Sequence, residues 1–216
     1  MRTGEVCALS WNNIDLEKRV INIKHNVYSK VKDEKGRWSI STPKTANSDR
    51  QVYITDTLLI ALKNYKNKQD YQKKIYGKKY HYYHLEDVTN KYGKIVEHRI
   101  VQTQRNSKKL EPIKLVFTKK DGKYSGTDII KYPFKVINYE LKIDKCRFYD
   151  LRGSFATGAL RSGTEIKDIA DLLGHSNVQT TESYYISSTE ETRKTACVDF
   201  GKTIQSNTIK EIIKYK

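Results

Sequence analysis

The sequence is poor in the residues that staple, break or oxidise a chain: three Cys, three Pro and one Met among 216 residues. Cys7, Cys146 and Cys197 form no CxxC pair and no even set. A disulfide framework is therefore excluded, and a reducing, cytoplasmic setting is expected. Long apolar runs are also missing. The longest, Leu58–Leu62, is far shorter than the roughly 20 residues that cross a bilayer, and no charged-then-apolar leader opens the chain, so no membrane partner is expected. Nucleotide-cradling loops are lacking too. Gly201-Lys202-Thr203 looks like the end of a P-loop, but Ala196 stands where its first glycine belongs, and no GxGxxG occurs. His81 and His84 have a ligand-like spacing without a cysteine nearby. A closed zinc site needs four ligands, so neither metal nor cofactor is expected.

Acidic residues are the minority charge. Lys and Arg number 41 against 25 Asp and Glu, a net +16. Such an excess sets up a field that captures nucleic acid irrespective of its sequence. The charge is uneven: residues 63–123 hold 17 Lys/Arg against 6 Asp/Glu, a net +11, with seven tyrosines interleaved up to Tyr92. This stretch reads as a basic, partly β insertion. Aromatic residues make up 11% of the chain, too many for a charge-expanded disordered polymer.

Apolar periodicity supplies the rest of the organisation. Val6 and Leu9 have helical spacing at the very start, which suggests a fragment whose upstream part has been removed. Strands are expected over 19–24, 27–29, 38–41 and 50–54, with short ones near Ile95, Ile100 and Leu115–Phe117. Asp56 is the expected cap of a helix bearing Leu58, Leu59, Leu62 and Tyr65. The final third is helical: from Pro133 to about Leu141, over Arg152–Ser162 with Phe155, Ala156, Ala159 and Leu160 inward, and over Glu165–Leu173 closed by Gly174. A short helix from Thr180 carries Tyr184. Ser188–Glu191 forms a capping box, and an amphipathic helix spans 208–215.

Breaking a DNA phosphodiester with side chains alone requires guanidinium forks for the charge on the non-bridging oxygens. It also requires an in-line nucleophile and an acid for the leaving oxygen. Four blocks carry these residue types in order. Arg2-Thr3-Gly4-Glu5-Val6-Cys7-Ala8-Leu9, with the residues through Asp15, resembles the first-arginine motif of the tyrosine recombinases, or phage integrases. Thr42-Pro43-Lys44-Thr45, followed by Ser48 and Arg50, is similar to that family's lysine hairpin. Tyr149-Asp150-Leu151-Arg152 is similar to its HxxR box. Leu173-Gly174-His175, with Tyr184 nine residues after the histidine, resembles its closing motif.

The resemblance implies an α+β fold, mainly α, with a helical catalytic core and a small antiparallel β-sheet. Residues 1–216 would form one N-terminally truncated catalytic domain with an insertion at about 63–123 and a helical tail from about 188. By position, it makes Tyr184 the nucleophile that forms a 3′-phosphotyrosyl link. Arg2 and Arg152 clamp the phosphate, His175 donates a hydrogen bond to it, Lys44 protonates the 5′ leaving oxygen, and Glu5 orients Arg2. Tyr149 stands where the family usually has His or Lys; a phenol is a poor base at neutral pH, but its O–H can donate to a phosphate oxygen. The implied partner is double-stranded DNA at attachment sites of a phage or mobile element. The implied assembly is a homotetramer on DNA and a monomer in solution. A type IB topoisomerase, with the same chemistry, and a non-catalytic DNA-binding remnant are the alternatives.

Overall fold

The computed structural model describes residues 1–30, 38–41, 50–103, 112–143, 145–175, 177 and 179–182. Within them the alternating segments build two antiparallel sheets. Strands β1 (Ile14–Asp15), β2 (Val20–Ile23) and β5 (Arg50–Tyr53) form one, in the order β1-β2-β5. Strands β3 (Asn26–Lys30), β4 (Trp38–Ser41), β6 (Tyr83–Thr89) and β7 (Ile95–Gln102) form the other, in the order β3-β4-β7-β6. The mixed class stands, with two small sheets instead of one. Two residues, Lys24 and His25, separate β2 from β3 and carry the chain from the first sheet to the second. The strand expected over 50–54 pairs with β2, placing Ile23 opposite Arg50.

Helix α1 (Thr3–Cys7) lies against β3 because Gly4 has no side chain: a Cβ there would collide with Asn26 Oδ1 and the Val27 carbonyl. The residues that follow join two cores. Cys7 and Ala8 pack with Val27, Trp38, Ile40, Ile100, Leu115 and Tyr124, whereas Leu9 packs with Ile21, Ile23, Ile54, Leu62 and Val116. Backbone bonds from Val116 N to Leu9 O (2.9 Å) and from Trp11 N to Lys114 O (2.8 Å) fix this seam. Residues 115–117 therefore act as a seam between cores. Leu115 makes an isolated bridge to Ser10, and no named strand forms there.

Helix α2 (Asp56–Tyr76) is capped by Thr55, whose Oγ1 accepts from Leu58 N; Asp56, the expected cap, instead pairs with Arg19 at 2.6 Å. The helix absorbs residues 63–76, so the basic stretch begins as helix and continues into the β6–β7 hairpin. Asn90 holds the hairpin turn by accepting from Tyr92 N and Lys94 N. Gln69 is buried on α2 and reaches the seam. Its Oε1 accepts from Trp11 Nε1 at 2.8 Å, and its Nε2 donates to the carbonyls of Leu115 and Val116. Gln69→Leu leaves the indole N–H and both carbonyls unpaired in an apolar setting. Urea unfolding is expected to show a loss of about 3 kcal/mol.

The last third is helical, as expected. Helix α3 (Lys131–Lys135) continues as a wider π turn over Val136–Glu140. Helices α4 (Asp150–Arg161) and α5 (Ile166–Leu173) bury Ala156 against Ile169 and Leu173, with Ala159 and Leu160 partly covered. Phe155, expected inward, is 50% exposed. The buried stripe of α4 runs through Arg152 and Ala156, at i and i+4, and turns Phe155 to its edge. Helix α6 (Gln179–Glu182) ends two residues before Tyr184. The capping box at Ser188 and the tail helix fall outside the described residues. Among the described residues no helix is long and apolar enough to cross a membrane.

Candidate active site

The site is built on the C-terminus of α5. Gly174 ends the helix in the left-handed conformation, at φ +68°, and His175 N donates back to Ala170 O at 3.0 Å. Three successive carbonyls are left over, and each takes one arginine. Arg50 Nε donates to Leu172 O at 2.8 Å, Arg152 Nη2 to Leu173 O, and Arg2 Nη2 to Gly174 O at 2.9 Å. A helix C-terminus carries unpaired carbonyls and partial negative charge, so it attracts cations. Gly174 is required twice over: for its φ, and because a Cβ would stand 2.8 Å from Arg50 Nη1.

One carboxylate serves two of the three arginines, Arg2 and Arg50. Glu5, in the first turn of α1, is buried and accepts four hydrogen bonds. Arg2 N (2.6 Å) and Arg50 Nη2 (2.9 Å) reach Oε2, while Arg2 Nη1 (2.9 Å) and Arg50 Nη1 (3.1 Å) reach Oε1. Burial alone would raise the Glu5 carboxyl. The bonds from Arg50 and Arg2 outweigh it and hold the group down at about 2. The cluster still has three guanidiniums against one carboxylate. Arg152 is lowered to about 10, first by burial and then by the charges of Arg2 and Arg50, so it stays protonated at neutral pH. Its buried Nη1 has no hydrogen-bond partner among the described residues. A buried, unpaired donor beside two further guanidiniums is a site for an anion.

His175 borders the cluster. Burial, followed by the charges of Arg152, Arg2 and Arg50, lowers its imidazole below the usual range, so it is neutral at neutral pH. Its Nδ1 lies 2.8 Å from the hydroxyl of fully buried Thr181 on α6. The bond at Nδ1 sets which ring nitrogen carries the proton. Thr181→Val removes this partner. Expected is loss of the fixed tautomer, read from the His175 ring nitrogen chemical shifts, with a stability loss of about 1 kcal/mol in urea unfolding.

The structure thus brings together Arg2, Glu5, Arg152 and His175. Tyr149 sits at the start of α4, where its carbonyl accepts from Arg152 N at 3.0 Å; its side chain is 45% exposed. Lys44 and Tyr184 fall outside the described residues. Two contributors carried no assigned role in the sequence reading. Arg50 appeared only as part of the lysine-hairpin pattern, although an arginine opposite Ile23 in a strand that is half inward was a usable signal. Thr181 gave none beyond its place six residues after His175.

The model of the phage integrase family matches residues 1–192. A "Tyrosine recombinase XerC-like" protein of Caldanaerobacter subterraneus subsp. tengcongensis is 29% identical over 191 residues, covering 86% of this chain and 42% of that protein. The ICEBs1 integrase of Bacillus subtilis (strain 168) is 26% identical over 185 residues, covering 86% and 41%. This chain therefore spans about two fifths of the length of these relatives. Among solved structures, the Tn1549 transposon integrase in complex with a circular intermediate DNA superposes with a TM-score of 0.62 at 17% identity, over 92% of this chain and 54% of that one. XerA recombinase gives 0.55 at 20% identity, over 92% and 53%. Both share the fold.

Proposed function

This chain belongs to the phage integrase family of tyrosine recombinases, and from that premise we propose that it cleaves and rejoins DNA through a phosphotyrosyl intermediate. The observation that carries the proposal is the guanidinium cluster at the end of α5, with the buried Arg152 Nη1 unpaired among the described residues. The scissile phosphate binds there. Arg2 and Arg152 contact its non-bridging oxygens, where negative charge accumulates in the transition state. We assign the Thr181 hydroxyl as the donor in its 2.8 Å contact with Nδ1; neutral His175 then carries its proton on Nε2 and donates it as a hydrogen bond to the same phosphate.

Tyr184 Oη attacks phosphorus in line and forms the tyrosyl–phosphate bond as the bond to the 5′ oxygen breaks. Its phenolic proton leaves to solvent, and Lys44 protonates the departing 5′ oxygen. The phosphotyrosyl bond conserves the energy of the phosphodiester, so the reverse attack by a 5′-hydroxyl reseals the strand. Residues 1–216 act as the catalytic domain, and strand exchange needs four such domains around two duplexes. The relative named ICEBs1 integrase and the Tn1549 transposon integrase that shares the fold favour integration or excision of a mobile element as the role. The excess of positive charge, +16 overall, favours duplex DNA as the partner.

A nicked duplex that loses its short 5′ fragment after cleavage traps the covalent complex. The parent chain and Tyr185→Phe are expected to form it, and Tyr184→Phe to form none. Adduct formation by Tyr184→Phe with loss in Tyr185→Phe moves the nucleophile to Tyr185; no adduct from any of the three refutes the reading.

A further inference from the structure

The Glu5 carboxylate has about four acceptor positions, and all four are filled, two by Arg2 and two by Arg50. Glu5, on α1, stands three residues after Arg2, which caps that helix, close enough for a two-pronged pair between them. A guanidinium locked in such a fork has its charge neutralised and its N–H groups turned away from any other anion. The fork on Glu5 belongs instead to Arg50, whose Nη1 and Nη2 span both carboxylate oxygens. Among the described residues Arg2 is left with a single side-chain bond to Glu5 and one to the Gly174 carbonyl, two of its five N–H donors, and its side chain is 40% exposed. Arg50 itself is buried.

We propose that Arg50 is a positioning residue for cleavage: by occupying Glu5 it keeps the Arg2 guanidinium available to the scissile phosphate. The proposal rests on the cleavage chemistry above. The third Arg50 donor, Nε on Leu172 O, ties the same side chain to the helix end that leads into His175. Arg50 also stands directly after residues 42–49 in the sequence, which contain Lys44. Lysine cannot substitute. Its single ammonium cannot span two carboxylate oxygens and a carbonyl in one plane.

The test compares the parent chain, Arg50→Lys and Arg2→Ala on the nicked duplex with either a phosphate or a methylphosphonate at the scissile position. The methyl group replaces a charged non-bridging oxygen and removes the charge that the clamp serves. Arg50→Lys is expected to slow adduct formation about 100-fold on the phosphate, with duplex affinity within about threefold of the parent. On the methylphosphonate its deficit shrinks to about fivefold or less, in parallel with Arg2→Ala. An equal deficit on both substrates overturns the proposal, as does a loss that follows the folded fraction measured by circular dichroism. If the parent forms no adduct, the cleavage reading fails by itself, and binding of inorganic vanadate still reads the placement of Arg2. There Arg50→Lys is expected to weaken binding about tenfold, as much as Arg2→Ala does, and unchanged binding overturns the proposal.

Discussion

Arg152→Lys is expected to reduce phosphotyrosyl adduct formation about 1,000-fold while leaving duplex binding nearly unchanged. The guanidinium of Arg152 does two jobs at once. Nη2 is committed to the Leu173 carbonyl, and Nη1 is buried without a partner among the described residues. Only a planar fork delivers one donor to the helix end and another to a phosphate. Lysine offers one nitrogen, and the surroundings that lower the arginine to about 10, burial first and then Arg2 and Arg50, push an ammonium toward neutrality. The residual activity of Arg152→Lys is therefore expected to rise as pH falls, because acid restores its charge. Duplex affinity barely moves, since one phosphate contact among many basic residues is lost. A companion substitution separates charge from packing. Arg152→Met is expected to abolish the adduct yet to melt at or above the parent temperature, because it removes a desolvated charge that two neighbours repel. Adduct formation within about tenfold of the parent by Arg152→Lys removes Arg152 from the clamp.

Local signals make part of this site legible in the sequence, and long-range contacts hide the rest. Helix α5 and its end at Gly174 were legible because amphipathic spacing and a stop glycine are local signals. So were β4 at Trp38–Ser41 and the residues that the fold gathers at the end of α5, Arg2, Glu5, Arg152 and His175, which three of the four short blocks carry. The division into two sheets was not, because it depends on which distant strand pairs with β2. Nor was the outward turn of Phe155: the inward stripe of α4 is set by where Arg152 must point, not by the hydrophobicity of its neighbours. Thr55 displaced Asp56 as helix cap because Arg19, 37 residues away, claims that aspartate. The role of Arg50 depended on Leu172, 122 residues further on, and no spacing within a motif encodes that contact. In each case the residue type was readable, while the partner that gives it a purpose came from the fold.

Glu5→Gln is expected to be the most destabilising single change in the site, by about 3–5 kcal/mol, because it removes the carboxylate that Arg2 and Arg50 share. For a chain of this length that loss lowers the melting temperature by roughly 10 °C. The sign of the pH dependence follows from the carboxyl being held at about 2 in the fold against its ordinary 4.5. A depressed carboxyl contributes its full stabilisation above about 4.5 and loses it as pH falls toward 2. The parent should therefore have the steeper acid limb, and the gap between parent and Glu5→Gln should close across that window. A constant gap down to pH 2 would show that Glu5 acts by shape and not by charge. Anions provide the complementary check. With Glu5 neutralised, the guanidiniums of Arg2, Arg50 and Arg152 lack their compensating charge, so an anion that enters the cluster binds the variant more tightly than the parent. Binding to the folded state stabilises it in proportion to ln(1 + [L]/Kd). Added inorganic phosphate is thus expected to raise the melting temperature of Glu5→Gln more than that of the parent, and Arg152→Met in the same background to remove most of that gain. Together the two titrations would locate the anion at the end of α5, where the proposed chemistry requires it.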